Sequence, residues 1–577
     1  MASVPGASRP VAKSSMGLMH CLVLALAAAG AELCIHGWLA GTVTYTHPRA
    51  SAAGSALSFL FLTWFYLTVM ASGRVLAWLS ALAVFLAVAL QYTLYHHLGQ
   101  GVSAELLLLA EARCLDESLA CIRQYLYAPA LAVGGVFAVW VRACAFASPR
   151  RASRRTLASA LAFGLCLSLV AYANDRGLMR SRLSSPTLEV PECLVDLCLQ
   201  VRRQWAYRPP ARRVPGPPKT AALGLNIVYV VAESLRSDHL GTNGYSRDTT
   251  PRLAQRVRQG AVCFTNVISG GDTTTRSFGR LMIEPTFPAL RSLAERPTLF
   301  GYAKRAGYTT CAVVPTEVED GPWWYDGSID KLVLRADQAG DADGHGKRLD
   351  ANMLPRLRET IASSAGRPLF LFVSTYCAHW PYAERYGYSP DCDTYRPSLQ
   401  ADDPGTFSDR QREKIINSYD NAIRYFDAWV GQVIDMFDGT DTVVIVTADH
   451  GQSLGEYGRW GHCSGTGEEA QLQVPLLLIP TSARAAEMAH LDPLRAKAAL
   501  PVCHGNIFRT VLDLLGYTTA DLQFSYPPSL YQVTPEDNRE RRALLSSLRD
   551  PSVEARYDVF AVMDADGHLV KVEKQPR

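Results

Sequence analysis

Charge of one sign is what this chain has least of. Its 57 Lys and Arg stand against 54 Asp and Glu, a formal excess of +3 over 577 residues. That balance excludes the global basic field of a nucleic-acid binder, so no nucleic-acid partner is expected. No internal repeat is visible. Gly (42) and Pro (33) are too few for a collagen-like or disordered chain. Cysteine, 14 in all, is too sparse to hold the fold as a disulfide framework. What is present is 48% hydrophobic and 19% charged residues, unevenly spread. Residues 17–173 are very apolar, whereas 223–577 read as an ordinary soluble domain long enough to bury a large core. A wholly cytosolic globular enzyme is not expected from that split.

Five apolar stretches, 17–40, 53–71, 75–98, 126–145 and 157–173, each approach the ~20 residues that cross a bilayer. The first lacks a small-residue cleavage site and is followed by four more, which argues against a signal peptide. The last is short, but Arg154 and Arg155 before it can snorkel. If all five span, Arg9, Lys13, Arg74, Arg142, Arg150, Arg151, Arg154 and Arg155 fall on one side. The 99–125 loop, with Glu105, Glu111, Asp116 and Glu117, falls on the other. The positive-inside tendency then places the amino terminus in the cytoplasm and everything after residue 173 outside it. Within that loop, 104–112 has a helical pattern suited to a membrane surface.

The expected organisation is therefore a transmembrane domain over 1–173, a basic Pro-rich bridge over 174–222 and an extracytoplasmic catalytic domain over 223–577. The bridge, with Arg202, Arg203, Arg208, Arg212 and Arg213 among prolines, reads as a solvated linker or as a segment resting on anionic head groups. Ten cysteines would face an oxidising compartment, so some disulfides are expected, with Cys193–Cys198 and Cys114–Cys121 as local pairs.

In the soluble half, short apolar runs at 226–231, 310–314, 369–374, 442–447 and 474–479 predict buried strands. They alternate with helical patterns at 286–306, 349–363 and 408–437. Such alternation predicts an α/β sandwich around a largely parallel sheet. Residues 556–563 and 569–573 predict a terminal hairpin turning at 564–568.

Ligands in such sheets sit beyond the carboxyl ends of the strands, so the polar residues that follow each strand carry the interest. The first strand runs into Glu233, the 369–374 strand towards His379, and the 442–447 strand into Asp449 and His450, with His462 beyond. Two carboxylates and three imidazoles suit zinc, or manganese, better than calcium or magnesium. Taken singly, Glu233 could be an exposed strand-end acid, Asp449 with His450 a turn cap, and His379 a half-buried imidazole.

A polar, Gly-rich loop, Ser269-Gly-Gly-Asp-Thr-Thr-Thr-Arg-Ser277, enters a predicted helix whose amino end would favour a phosphate. A threonine hydroxyl is a weak nucleophile at neutral pH. A bound divalent cation lowers its pKa, which is the chemical reason to place one beside the metal donors. On this reading Thr273, Thr274 and Thr275 all compete, and any of them could simply cap the helix.

These residues resemble the phosphoethanolamine transferases, membrane members of the alkaline phosphatase/sulfatase superfamily. The resemblance is carried by AESLRSDHLGTNGYSRDTTPRL at 232–253, FTNVIS at 264–269, YDNAIRYFD at 419–427, ADHGQSLGE at 448–456 and HGNIFRT at 504–510, in the family's order. It implies five helical membrane spans followed by an alkaline phosphatase/sulfatase-like sandwich. It implies that Glu233, Thr274, Asp449 and His450 bind zinc (one ion or two), with Thr274 as nucleophile. His379 and His462 would hold the phosphoryl group or a second metal. It also implies a phosphatidylethanolamine donor, a lipid A, lipopolysaccharide or other glycan acceptor, and a bacterial inner-membrane location with the catalytic domain in the periplasm. The transfer would run in two steps through a phosphoryl-threonine.

The chain departs from the family at several points. The family's Ser-Cys-Gly-Thr-Ala-Thr loop reads Ser-Gly-Gly-Asp-Thr-Thr, so its disulfide cysteine is absent at Gly270. Phe278-Gly-Arg-Leu-Met stands where Pro-Cys-Met-Phe is usual, Gly505 replaces an aspartate, and Asp272 beside the nucleophile is unusual. Rival readings are a phosphoglycerol transferase or phosphodiesterase of the same superfamily, and a non-catalytic sulfatase-like sensor. A sulfatase activity would need a Cys/Ser-x-Pro-x-Arg stretch, which the 269–277 loop lacks.

Overall fold

The computed structural model describes residues 22–33, 52–70, 74–98, 128–146 and 158–166, the positions 169, 188 and 194–195, and most of 212–576. Within that last range 221–222, 284–295, 315–326, 334–349, 365, 387–388, 401–408, 523 and 546–556 are not described. The described residues fall into two compact units, one within Met1–Tyr207 and the other within Arg208–Ser547 and Tyr557–Arg577.

In the first unit, the predicted stretches 53–71, 75–98 and 126–145 coincide with helices α1 (Ala52–Met70), α2 (Arg74–Leu98) and α3 (Ala128–Phe146). Parts of the first and last stretches are helical at 22–33 and 158–166. Leu62, Tyr66, Ala81, Val88 and Val141 pack into a common core. Gly134 permits close packing of α2 and α3, because a Cβ there would meet the Phe85 carbonyl at 2.9 Å. Among the described residues no helix is long and apolar enough to cross a membrane. The surface pattern predicted for 104–112 lies outside the described residues, as do the pairs Cys193–Cys198 and Cys114–Cys121.

The second unit is an α/β sandwich. Its main sheet contains β1 (Asn226–Ala232), β2 (Val262–Phe264), β3 (Thr309–Val313), β4 (Lys331–Val333), β5 (Leu369–Thr375), β6 (Thr442–Ala448) and β7 (Leu476–Pro480). Their order is β2-β7-β6-β1-β5-β3-β4. The five strands β6, β1, β5, β3 and β4 run parallel, while β7 is antiparallel to β6 and β2. β5 and β6 are buried along their whole length and β1 from its second residue onward. That is why they read as unbroken apolar runs rather than alternating ones. Phe278, Phe300, Tyr229 and Phe372 interlock edge to face against the sheet.

All five predicted strands are present. β2 and β4, three residues each, were too short to show in the sequence pattern. The predicted helix 408–437 is α5 (Arg412–Asp435), and 349–363 contains a helix at Met353–Ala362. Of 286–306, Leu299–Arg305 is helical, and 286–295 lie outside the described residues. The terminal hairpin is β9 (Tyr557–Met563) with β10 (Leu569–Pro576), joined by an unforeseen third strand, β8 (Arg541–Leu545). The described part of the bridge, 212–220, packs on this unit: Arg305 Nε donates to the Pro215 carbonyl (3.1 Å) and the Tyr517 hydroxyl to that of Gly216 (2.9 Å). The expected disulfides do not form among Cys263, Cys311, Cys377, Cys392 and Cys503, which are all free thiols.

Candidate active site

Strand register assembles the site. Ala232 of β1 lies opposite Thr375 of β5 and Ala448 of β6, so Glu233 and Asp449 leave adjacent strands side by side. The Asp449 N–H donates to the Ala232 carbonyl (3.1 Å) and the Ala378 N–H to that of Glu233 (3.3 Å), which draws the His379 turn to the same rim. Asp449 Oδ1 accepts from the backbone N–H groups of Ser234 (3.1 Å) and His450 (2.7 Å). Its other oxygen, Oδ2, is buried with no hydrogen-bond partner and lies 3.4 Å from His450 Nε2.

The threonines separate by backbone position. Thr273 caps helix α4 (Thr274–Met282), its hydroxyl accepting from the Arg276 N–H at 3.4 Å. Thr275 turns its hydroxyl to Thr273, 3.3 Å away. Thr274, the first helical residue, places Oγ1 3.2 Å from both Glu233 oxygens and 3.4 Å from His450 Nε2. An oxygen there sits at the positive end of a helix dipole.

All three imidazoles are oriented alike. Nδ1–H of His450 donates to the Gly451 carbonyl (2.8 Å), that of His379 to the Trp380 carbonyl (2.6 Å), and that of His462 to Gln452 Oε1 (3.1 Å). Since carbonyl oxygens only accept, each ring carries a proton on Nδ1 and turns its Nε2 towards the other donors, the arrangement by which metal-binding histidines are held. The His450 and His462 rings stand 4.3 Å apart and those of His379 and His462 6.0 Å. Two donor sets result, Glu233–Asp449–His450 and Glu233–His379–His462, each with donor atoms within 4.8 Å of one another. The first is fully buried, and both histidines of the second are half-buried.

The electrostatics match a cation site. Burial would raise the Glu233 carboxyl, but the His450 hydrogen bond and charge, with His379 and His462, hold it well below the usual carboxylate range. Burial and then the Glu233 charge push Asp449 up. Burial opposes a proton on His450, yet Asp449 and Glu233 raise its pKa. Two buried carboxylates thus compete for one imidazole proton. The orphaned Asp449 oxygen and the inward Nε2 atoms fit a borderline cation such as zinc.

Several supporting residues were not foreseen. Gln452 orients His462. Asp272 ties the 269–277 loop to the His462 loop: its carbonyl accepts from Cys463 N–H (3.2 Å) and its carboxylate from Gly465 N–H (3.2 Å). β8 braces the same loop, with the Leu544 N–H donating to Gly270 (2.9 Å) and its carbonyl accepting from Asp272 (3.2 Å). The 419–427 motif is scaffold. The Tyr419 hydroxyl bridges the Ser234 carbonyl (2.7 Å) and Arg236 N–H (2.9 Å), and Asp427 accepts from the N–H groups of Arg252 and Leu253 (2.9 Å each).

A hydroxyl at a helix amino end, facing carboxylate and imidazole donors on the carboxyl rim of an α/β sheet, defines the alkaline phosphatase class of site. The chain belongs to the sulfatase family, which residues 225–517 match. Relatives include the Kdo(2)-lipid A phosphoethanolamine 7''-transferase of Escherichia coli K12, 27% identical over 311 residues that cover 51% of this chain and 52% of that protein. The phosphatidylethanolamine transferase Mcr-1 of Escherichia coli is 26% identical over 276 residues, covering 41% and 44%. The chain spans about half the length of the curated relatives it matches. Among solved structures, the integral membrane lipooligosaccharide phosphoethanolamine transferase A of Neisseria meningitidis aligns with a TM-score of 0.61 at 21% identity, over 86% of this chain and 97% of that one. That likeness concerns the fold.

Proposed function

We propose that this chain transfers phosphoethanolamine from phosphatidylethanolamine to a surface glycolipid or glycan of the lipid A or lipopolysaccharide-core class, through a phosphoryl-threonine at Thr274. The observation that carries the reading is the Thr274 hydroxyl at the amino end of α4, within 3.4 Å of Glu233 and His450. The activities for which the relatives are named support the donor and acceptor class.

Glu233, Asp449, His450 and Thr274 would hold one zinc ion, with manganese the nearest substitute. Glu233, His379 and His462 would hold a second ion or the phosphoryl oxygens. When bound, zinc supplies the positive charge that lowers the hydroxyl pKa and offsets charge on the phosphoryl group. Glu233 accepts from the Thr274 hydroxyl and aims it into the pocket. The threonine oxygen attacks phosphorus, the bond to diacylglycerol breaks, and the proton given up by Thr274 is in sum the one that diacylglycerol gains. A hydroxyl or phosphate oxygen of the acceptor then attacks the same phosphorus, frees Thr274, and returns a proton to it.

The bilayer belongs to this reading because a lipid donor need not leave it. Support comes from Leu60, Leu79, Leu82, Leu86, Val136 and Val139, which leave apolar side chains outward on α1–α3. The reading places the chain in a bacterial inner membrane, multi-pass, with its catalytic unit in the periplasm. The test uses the full chain in vesicles carrying labelled phosphatidylethanolamine or labelled phosphatidylglycerol. Transfer of ethanolamine label to glycolipid is expected. Transfer of glycerol label alone would replace this reading with the phosphoglycerol one.

A further inference from the structure

His504 opens helix α6 (His504–Leu514) and is fully buried. Its Nδ1 lies 2.9 Å from the Gly270 N–H, which only donates, so Nδ1 must present a lone pair. The ring proton then sits on Nε2 and is donated to the Ala448 carbonyl at 3.0 Å. The Ser277 hydroxyl, 3.2 Å from the same Nδ1, donates to the Asp449 carbonyl. One imidazole therefore joins the start of the 269–277 loop to the last residue of β6 before Asp449, and Ser277, packed against the same ring, ties the first turns of α4 to the Asp449 carbonyl. Thr274 lies four residues after Gly270 and three before Ser277, inside the segment so held. Gly270 has a matching constraint: a Cβ there would come within 2.5 Å of the Arg280 Cβ and 3.5 Å of His504 Nδ1.

We propose that His504 is a positioning residue for the transfer, a neutral, Nε2-protonated strut that sets the Thr274 hydroxyl against Asp449 and His450 from behind. This rests on the transfer reading above. His504 touches neither Thr274 nor the inward-facing Nε2 atoms, so its effect passes through the backbone of residues 270–277 and 448–449. A displacement of about 1 Å at a reacting atom costs roughly 100-fold in rate. The chain's turnover is thus set by a histidine outside both donor sets.

The test compares His504→Asn, whose Oδ1 can replace Nδ1 as acceptor for Gly270, with His504→Gln, whose Nε2 can reach Ala448 but leaves Gly270 unpaired. Both remove the ring and lower stability, so a merely structural role predicts equal losses of activity. The expected result is a kcat that falls roughly 100-fold in His504→Gln and roughly 10-fold in His504→Asn, at unchanged KM and zinc content. Amide hydrogen exchange at Gly270 should quicken only in His504→Gln. Equal kcat in the two variants, or unchanged Gly270 exchange in His504→Gln, would overturn the proposal. Nitrogen chemical shifts of labelled histidine in the wild-type chain give a reading that needs no variant: a proton on Nε2 is expected, and one on Nδ1 refutes it. Inactivity of the wild-type chain on both donor lipids would instead refute the transfer reading, while the exchange and nitrogen data would still judge the strut.

Discussion

Thr273, Thr274 and Thr275 carry the same side chain, and backbone position gives each different work. Thr273 is extended (φ −145°, ψ 155°) and caps α4, so Thr273→Ala should cost about 1 kcal/mol of stability on thermal denaturation. Gly270→Ala should cost more, about 1–3 kcal/mol, because its new methyl meets the Cβ of a buried Arg280 that has no free rotation to offer. At this scale the sequence showed the chemistry better than the geometry. Glu233, His379, Asp449, His450 and His462 could be picked out because each follows a strand or its loop. The residue types alone left three threonines open and the family resemblance pointed to Thr274; what separates them physically is which residue starts the helix. Asp272 and His504 were in view as residues, but their roles stayed hidden because these are hydrogen bonds to loops distant in sequence.

Among the elements, β1, β3, β5 and β6 were legible because they are buried almost throughout and leave unbroken apolar runs. β8 was not: its pattern Arg-Arg-Ala-Leu-Leu lacks alternation, and its partners lie in β9 and the 269–277 loop. The turn after β1 is held by Arg236, which pairs with Asp238 (2.6 Å) and Glu456 (2.7 Å) and bonds the Gln452 carbonyl (3.1 Å). Burial would raise both carboxyls, but the Arg236 charge and hydrogen bonds bring them below their ordinary values of 3.8 and 4.5. A carboxyl depressed on folding contributes stability above its unfolded pKa and loses it as pH falls through the folded value. Glu456→Gln should therefore flatten the loss of stability below about pH 4.5, measured by denaturant unfolding between pH 7 and 3. An unchanged pH slope would remove Glu456 from the account.

For the whole molecule, the second unit places the donor atoms of Glu233, His379, Asp449, His450 and His462 at one sheet rim, and a cation held there would add to its stability. Because the donors mix two carboxylates with three imidazoles, dialysis against a chelator should lower the melting temperature, with zinc restoring it and magnesium not. An ion present at about 100 times its Kd contributes about 2.7 kcal/mol by mass action, enough to see in a melting curve. Hydropathy separates an apolar amino-terminal region from the rest, and the described residues fall into two units, one within Met1–Tyr207 and the other within Arg208–Ser547 and Tyr557–Arg577. The proposed lipid donor was not legible there, because such a donor leaves no mark on the strands of the sheet. The most direct measurement is peptide mass spectrometry of the full chain after brief exposure to phosphatidylethanolamine vesicles. A phosphoethanolamine mass on Thr274, absent from Thr274→Ala, is the predicted result; the same mass on Thr273 or Thr275, or its survival in Thr274→Ala, would contradict it.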